Sequence, residues 1–484
     1  MIVIRSNRTQ KGPKGTAARS ERHPSPVPPL EPETAAVLRR ICLRDRFPAA
    51  LQYPESRGTD PVDDVDETIK GLFLRGEKTA VDQVIRLVSP HDVDVLVRSG
   101  LLALDGGRVR SNFKVQFYQG MIFLADFLYY EKSPDFVLPI GPAGYYLSNL
   151  TVRRGAASAL DLGCGCGVQS LLAARHCARV TATDVNPRAL ALTRLNAELN
   201  GLSNIEVLAG SYFEPVAERR FDLIVANLPY VIAPGKRAIY RDTDHPGDAG
   251  LRRLVREMPV HLTEGGYAHV LANWTHTARE PWWQPMRTAV ERTQADAWLV
   301  YNGSKEPQAY AEMWIRDDDR LRARTISSWV KWYRRHGIER IALGALTLRR
   351  RGSNSNWFCA APVDSRLEDP AGDQLQRLFA AQDALSALKS PEDLFAHRLI
   401  PCRMEMTRKP DGQRVSVHAT SGLRLQAEIL LSSARVVESL QAGADLRTAV
   451  HQAGREEGLA PEKIPAVCLV DVQRLVDLGL VLLD

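Results

Sequence analysis

The chain has 484 residues, 44% of them hydrophobic and 25% charged, which is the composition of a globular protein rather than a disordered, fibrous or membrane one. At about 150 residues per domain it predicts roughly three domains. The apolar start Met1 to Ile4 meets Arg5 at once, and no later run approaches the roughly 18 apolar residues of a membrane span, so neither a signal peptide nor a membrane helix is expected. Cysteines number seven (Cys42, Cys164, Cys166, Cys177, Cys359, Cys402 and Cys468) and lack paired C-x-x-C spacing, which argues against disulfides or a zinc module and for a reducing cytoplasm. The net charge of +6 is local, because residues 1–30 hold six basic residues and one acid and leave +1 for the rest. A near-neutral body has no field to steer a polyanion.

Taken in chain order, residues 1–35 ("SERHPSPVPPLEPE" near their end) have little to bury and predict a disordered basic tail. From 36 to 130 a helical and then hairpin-like pattern predicts a small winged-helix-like domain. There Ser89 is the N-cap, Pro90 the first helical residue, apolar spacing runs to Leu96 and Val97, Gly100 stops the helix, and Asp105-Gly106-Gly107 makes a turn. The run "LVRSGLLALD" (96–105) is echoed by "LVDLGLVLLD" (475–484), so two related small domains are expected to flank the centre. Residues 131–362 alternate strands with helices. The strand-like runs are "SALDL", "RVTATD", "IEVLAG", "FDLIVANLPY", "GYAHVLAN", "IERIALGALTLRRR" and "NWFCAA". Seven strands in such alternation predict right-handed crossovers and a mostly parallel α/β sheet, with ligand beyond the strands' carboxyl ends. Residues 363–394 read as a connecting helix and 395–484 as a last domain, with "RVSVHA" as one of its strands.

The densest chemical signal is "ALDLGCGCGVQSLL", in which a strand feeds Gly163, Gly165 and Gly167 directly into a helix. Glycine lets the backbone pass beneath a ligand at positive φ, and a helix start offers N–H groups to something polar. A dinucleotide fingerprint would run Gly165, Gly167, Ser170 and lacks its third glycine. Asp161, two residues before the first glycine, repels a pyrophosphate but suits an ammonium or a sulfonium. Asp184 ends the second strand, where a carboxylate can take both ribose hydroxyls of a nucleoside. A cationic nucleoside therefore fits better than a nicotinamide dinucleotide.

A second signal is Asn227-Leu228-Pro229-Tyr230 at the carboxyl edge of the fourth strand. The Asn227 carboxamide oxygen and the next backbone carbonyl can accept from a planar NH2 group, and the tyrosine face can stack on that group. A poor amide or aromatic-amine nucleophile needs this arrangement. Read as structure alone, the same four residues are a strand end with a proline turn.

D-L-G-x-G-x-G, T-D-V-N-P, N-A-x-L-N-G-L, F-D-L-I-V-x-N-x-P-Y-V and "GDAGLRRLV" together resemble class I S-adenosyl-L-methionine dependent methyltransferases. The resemblance is closest to the HemK/PrmC-type protein-glutamine N-methyltransferases and the related small-domain RNA N-methyltransferases, over about 137–275 and more loosely over 276–361. It implies a Rossmann-like seven-stranded core flanked by small α+β winged-helix-like domains. S-adenosyl-L-methionine would be the cofactor and S-adenosyl-L-homocysteine the product. Carried over by position, Asp161, Gly163, Gly165 and Gly167 would cradle the methionine end. Asp184, with Val185 and Asn186, would hold the nucleoside, Ser211 its adenine, and Asn227, Pro229 and Tyr230 the nitrogen to be methylated, with Asn227 also touching the cofactor. Two positions depart from the family. Leu228 replaces the usual first proline of N-P-P-Y, a form similar to the rRNA adenine dimethyltransferases, and Ser211 stands where an aspartate is common.

Upstream, Gly141-Pro142 predicts a turn and Tyr145 or Tyr146 can either cover the cofactor or pack in the core. All eight tryptophans fall between 274 and 357, most on amphipathic helices such as "ISSWVKWYRRHG" that bury them; Trp282-Trp283 is the exception. The histidines lack ligand spacing, so no metal is expected. Residues 395–484 resemble a PqqD-type winged helix, which captures peptides by strand addition. The expectation is a cytoplasmic methyltransferase acting on a side-chain nitrogen of a peptide or protein. An RNA or DNA N-methyltransferase is the second reading, and a non-catalytic S-adenosylmethionine- or peptide-binding protein the third.

Overall fold

A computed structural model of the chain describes residues 24–44, 47–52, 64–235, 247–315, 319–352, 356–363, 367, 370–456, 458 and 464–483. The expected tail falls outside the described residues up to position 23. Its remainder is packed rather than solvated: the Ser25 carbonyl accepts from Arg188 at 2.7 Å, Leu30 is buried, and a helix starts at Pro32.

The centre is built from α1 (Pro142–Leu150), β1 (Ala156–Leu162), α2 (Val168–Ala174), β2 (Cys177–Asp184), α3 (Pro187–Leu199), β3 (Ile205–Ala209), β4 (Phe221–Ala226), α4 (Ala249–Glu257) and β5 (Leu262–His276). It continues through α5 (Gln284–Val290), β6 (Ala295–Lys305), α6 (Pro307–Trp314), α7 (Asp319–Arg335), β7 (Arg340–Arg350), β8 (Phe358–Pro362) and α8 (Gly372–Ala387). The strands form one sheet in the order β3-β2-β1-β4-β5-β7-β6-β8, in which β7 alone runs antiparallel to its neighbours. The strand order reverses between the parallel neighbours β1 and β4, which opens a crevice at their carboxyl ends. The sheet has eight strands, not the seven expected, because β6 is a strand that the sequence hides. Its middle, Ala297 to Val300, is buried on both faces and so shows no alternation, while Asn302-Gly303 looks like a turn but makes an irregularity within the pairing to β7.

One face of the sheet packs Leu223, Val225, Tyr267, Leu271, Trp298 and Val300 against α1 and α8, and the other packs Ile224, Ala268, Val270 and Leu299 against α4 and α5. α8 lies within the stretch expected to connect the domains. It is fastened to the sheet by Arg349, which donates to buried Asp296 at 2.5 Å and to Asp383 at 2.6 Å.

The N-terminal part carries helix Pro90–Arg98, whose Ser89 and Asp92 close a capping box, and the hairpin Leu102–Asp105 with Arg108–Ser111. A second hairpin, Lys114–Tyr118 with Met121–Ala125, lies against α3. The C-terminal part has three antiparallel strands (Met404–Arg408, Arg414–Ala419, Gln426–Leu430), followed by helices Leu431–Gln441, Leu446–Glu456 and Ile464–Asp477 and the strand Val481–Leu483. The echoed runs adopt one shape, a helix end, a glycine at positive φ (Gly100 at 77°, Gly479 at 62°) and a strand. Among the described residues no helix is long and apolar enough to cross a membrane.

His269 on β5 is fully buried, and burial holds its imidazole down to about 3. The Val152 N–H donates to Nε2 at 3.1 Å, so the ring proton sits on Nδ1, 3.0 Å from the Thr347 hydroxyl. Because an unfolded histidine titrates near 6.5, the unfolded chain binds more protons between those values, and stability is lost as pH falls from about 6.5 toward 3. Urea titrations of His269→Gln over that range should show an acid-side slope shallower than wild type, by up to about 4 kcal/mol across the window; identical slopes would contradict this reading.

Candidate active site

β1 is buried in mid-sheet and delivers Asp161 to its carboxyl end, where Oδ2 accepts from the Ser170 N–H at 2.8 Å and the Ser170 hydroxyl at 2.5 Å. Asp161 thus ties the strand to the first turn of α2. Burial raises its carboxyl to about 7, the nearby charge of Asp184 adds to the rise, and the Ser170 bonds oppose it. Gly163, Gly165 and Gly167 have φ of 73°, 56° and 82°, left-handed values that L side chains rarely adopt. A Cβ on Gly163 would stand 2.7 Å from Leu228 Cδ2, so the glycine turn and the Asn227–Tyr230 segment touch. A Cβ on Gly165 would meet open space.

At the end of β2, the Asp184 carboxylate accepts from the Gly165 N–H at 3.0 Å and the Asn186 N–H at 2.8 Å. Burial holds this carboxyl above its ordinary value against the pull of those N–H groups. Val185 beside it is 54% exposed, an apolar surface on the rim. Asn186 has local work, since its oxygen caps α3 through the Arg188 N–H and its amide donates to the Asp135 carbonyl at 2.9 Å. After β3, Gly210 donates to the Asp184 carbonyl at 3.1 Å and Ser211 lies exposed next to it.

Asn227 follows the last residue of β4 and is half-buried; among the described residues nothing hydrogen-bonds its carboxamide. Leu228, Pro229 and Tyr230 are half-buried too. The Tyr230 ring meets Trp314 edge-on, with centroids 6.2 Å apart, and burial pushes its phenol up so that it stays neutral. The structure therefore gathers Asp161, the three glycines, Asp184, Val185, Ser211 and Asn227 to Tyr230 at one sheet edge. It gives Tyr146 to the core, where Asn302 donates to its hydroxyl at 3.2 Å, and sets Tyr145 against Tyr118. Trp329 is core, and Trp282 stacks on Tyr301 at 4.1 Å while its carbonyl accepts from the Trp274 indole.

Several supporting residues escaped the sequence reading. Asn196 on α3 and Asn200 at its C-cap, one helical turn apart, exchange paired hydrogen bonds with the backbones of Leu124 and Ile122, and Asn196 also donates to the Cys166 carbonyl in the glycine turn at 2.9 Å. Their i, i+4 spacing within N-A-x-L-N-G-L was the available signal. Asp248 of "GDAGLRRLV" accepts from Thr275 at 2.9 Å and pairs with Arg252, anchoring the far end of β5. Tyr310 and Tyr333, from helices between β6 and β7, hold the backbone N–H and carbonyl of Ile232, and no local pattern announces them.

Residues 143–295 match the family described as Methyltransferase small domain. The chain is 34% identical over 128 residues to a release factor glutamine methyltransferase of Geobacter sulfurreducens, covering 24% of this chain and 45% of that protein. Against the enzyme of the same name from Bordetella pertussis it is 31% identical over 166 residues, covering 30% and 60%. It is 26% identical over 278 residues to ribosomal RNA small subunit methyltransferase C of Salmonella paratyphi B, covering 49% and 73%. The chain thus spans about half the length of the two glutamine methyltransferases it matches.

The first two glycines of the turn should separate cleanly. Gly163→Ala forces both a left-handed alanine and a 2.7 Å clash, and should cost about 2–3 kcal/mol in denaturant unfolding. Gly165→Ala bears only the backbone penalty, about 1 kcal/mol. Equal losses for the two would refute this geometry.

Proposed function

We propose that this protein is an S-adenosylmethionine-dependent N-methyltransferase that alkylates a planar NH2 group, a glutamine-like amide in a protein or peptide. The observation that carries the reading is the carboxamide of Asn227, unbonded among the described residues and set at the carboxyl edge directly against the glycine turn through Leu228 and Gly163. The matched glutamine methyltransferases support the amide as acceptor.

The residues present fit the cofactor. Gly165 leaves space where a side chain would stand, the raised Asp161 carboxyl gains from a neighbouring cation, and Val185 offers an exposed apolar rim beside Asp184. Asp161 and the three glycines would hold the methionine end, Asp184 and Val185 the nucleoside, and Ser211 the adenine. Asn186 contributes by capping α3. Bound there, S-adenosylmethionine supplies a methyl group on a sulfonium, a leaving group good enough to need no strong base.

The chain's task is then positioning. The Asn227 oxygen and the Leu228 carbonyl accept the two N–H bonds of the acceptor, orient its lone pair and raise electron density on its nitrogen. Pro229 stiffens the turn and the Tyr230 ring lies flat against the acceptor's π-system. The neutral Tyr230 phenol removes no proton; the extra proton leaves for water after transfer.

The flanking units extend the reading. The helix and hairpin of 36–130 would be winged-helix-like, and 395–484 a PqqD-like unit whose strand Met404–Arg408 pairs on one side only among the described residues, open to an added peptide strand. The setting would be cytoplasmic. RNA is the second acceptor class, favoured by Leu228 and by the longer match to the rRNA enzyme.

Radiolabelled S-adenosylmethionine incubated with peptide, protein and RNA fractions should label peptide or protein. Label in RNA alone would move the assignment to the second class, and binding without transfer to anything would reject catalysis. Asn227→Ala should lower turnover at least about 100-fold with donor affinity kept, and Asp184→Ala should weaken donor binding at least about tenfold in calorimetry. Donor affinity should rise with pH through about 7 as Asp161 ionises, and Asp161→Asn should flatten that dependence.

A further inference from the structure

β6 and β7 are paired antiparallel strands, yet the chain between them makes an excursion through α6 and α7 that folds back over the carboxyl edge of the sheet. The inner side of this excursion is aromatic. Tyr310 and Tyr333 are fully buried, Trp329 is nearly so, and together with Ile341 they enclose Val231, Ile232 and Ala233, the residues that leave the Asn227–Tyr230 segment. Rings meet in series from Tyr230 to Trp314, from Trp314 to Tyr310 and from Tyr310 to Tyr333, each pair with centroids 6.2 to 6.3 Å apart.

Packing alone would explain apolar rings here; it does not explain their hydroxyl groups. The Ile232 N–H donates to the Tyr310 oxygen at 3.2 Å, and the Tyr333 hydroxyl donates to the Ile232 carbonyl at 2.7 Å. Both backbone polar groups of one residue are therefore taken by side chains from two different helices, where a strand neighbour would ordinarily take them. The Tyr310 oxygen accepts a second bond, 2.7 Å from the Asn273 amide on β5, the strand next to β4. Asn273 links the clamp back to the sheet, because β5 runs in register with β4 from Leu223↔Tyr267 to Ala226↔Val270 just before Asn227.

We propose that Tyr310, Tyr333 and Asn273 are positioning residues for methyl transfer. The segment carrying the acceptor-binding groups begins on β4 and has no hydrogen bond to the Asn227 side chain among the described residues. Between the Leu228 contact with Gly163 and the Tyr230 contact with Trp314, its placement is set by hydrogen bonds at its two ends, the β4 pairing before it and the clamped Ile232 backbone after it. Loosening the second end leaves donor binding intact, since that rests on β1, β2 and β3, but lets the Asn227 oxygen and the Leu228 carbonyl wander from the acceptor nitrogen. Misplacement of this kind reduces turnover rather than binding. The inference rests on the proposed N-methylation, though the clamp can be read without it.

The test is Tyr310→Phe and Tyr333→Phe, which keep the rings and remove only the hydroxyls. Hydrogen exchange over 227–235, followed by mass spectrometry on full-length protein, should speed up at least about tenfold in each variant while 159–170 stays at the wild-type rate. With the labelled acceptor, kcat should fall about tenfold or more, with the acceptor KM and the calorimetric donor Kd within about twofold of wild type. Asn273→Ala should give a smaller change of the same kind. Unchanged exchange over 227–235, or faster exchange over both segments with donor affinity lost in parallel, would overturn the assignment. If no acceptor is found, the exchange result still decides the clamp, while the failure to find one counts only against the methyl-transfer reading.

Discussion

The Asp184 carboxylate accepts from the backbone of Gly165 on one side and of Asn186 on the other, and so joins the turn after β1 to the start of α3. Those two N–H groups stabilise an anion that burial disfavours, and the anion fixes a turn whose three glycines sit at left-handed φ. Without it, the Gly165 N–H has no partner among the described residues. The second carboxylate, Asp161, uses the same device one strand over, gripping the start of α2 through Ser170. Two neighbouring acids with raised protonation constants make this edge receptive to positive charge before any ligand arrives.

α3 carries the same order outward to the N-terminal part. Arg188 near its start forms a buried pair with Asp126 at 2.6 Å and reaches the Ser25 carbonyl. Asn196 and Asn200 pair with the backbone of the hairpin strand Met121–Ala125 as a neighbouring strand would, and Arg39 caps the helix end through the Leu199 and Glu198 carbonyls at 2.6 and 2.8 Å. Breaking one partner of a buried pair such as Arg188–Asp126 costs about 3–5 kcal/mol, because the other charge is left in a dry site. Through the Asn196 bond to Cys166, the N-terminal hairpin and the glycine turn share one side chain.

Local chemistry was legible in the sequence. The Ser89 cap, the stop at Gly100, the Gly163 to Gly167 turn, Asp184 at a strand end and Asn227 at another all follow from short-range rules that the structure repeats. Legibility failed where neighbours distant in sequence decide the outcome. β6 was hidden because both its faces are buried, and Pro24 to Leu30 looked solvated until Arg188 supplied the partner for its backbone. The capping role of Asn186 on α3 also depends on the fold around it. Tyr310 and Tyr333 gave no sign, since a phenol on an amphipathic helix looks the same whether it meets solvent or a peptide more than seventy residues away.

The excursion of α6 and α7 leaves and rejoins the sheet through two strands that bond to each other, so its contents can be exchanged without disturbing how the sheet is threaded. The crevice proposed for the donor would lie on the other half, where the strand order reverses between β1 and β4. On the proposed function, variation in the outer surface of this helical pair would retune which nitrogen is presented, provided Tyr310 and Tyr333 keep their hold on Ile232, while the other half of the sheet remains constant.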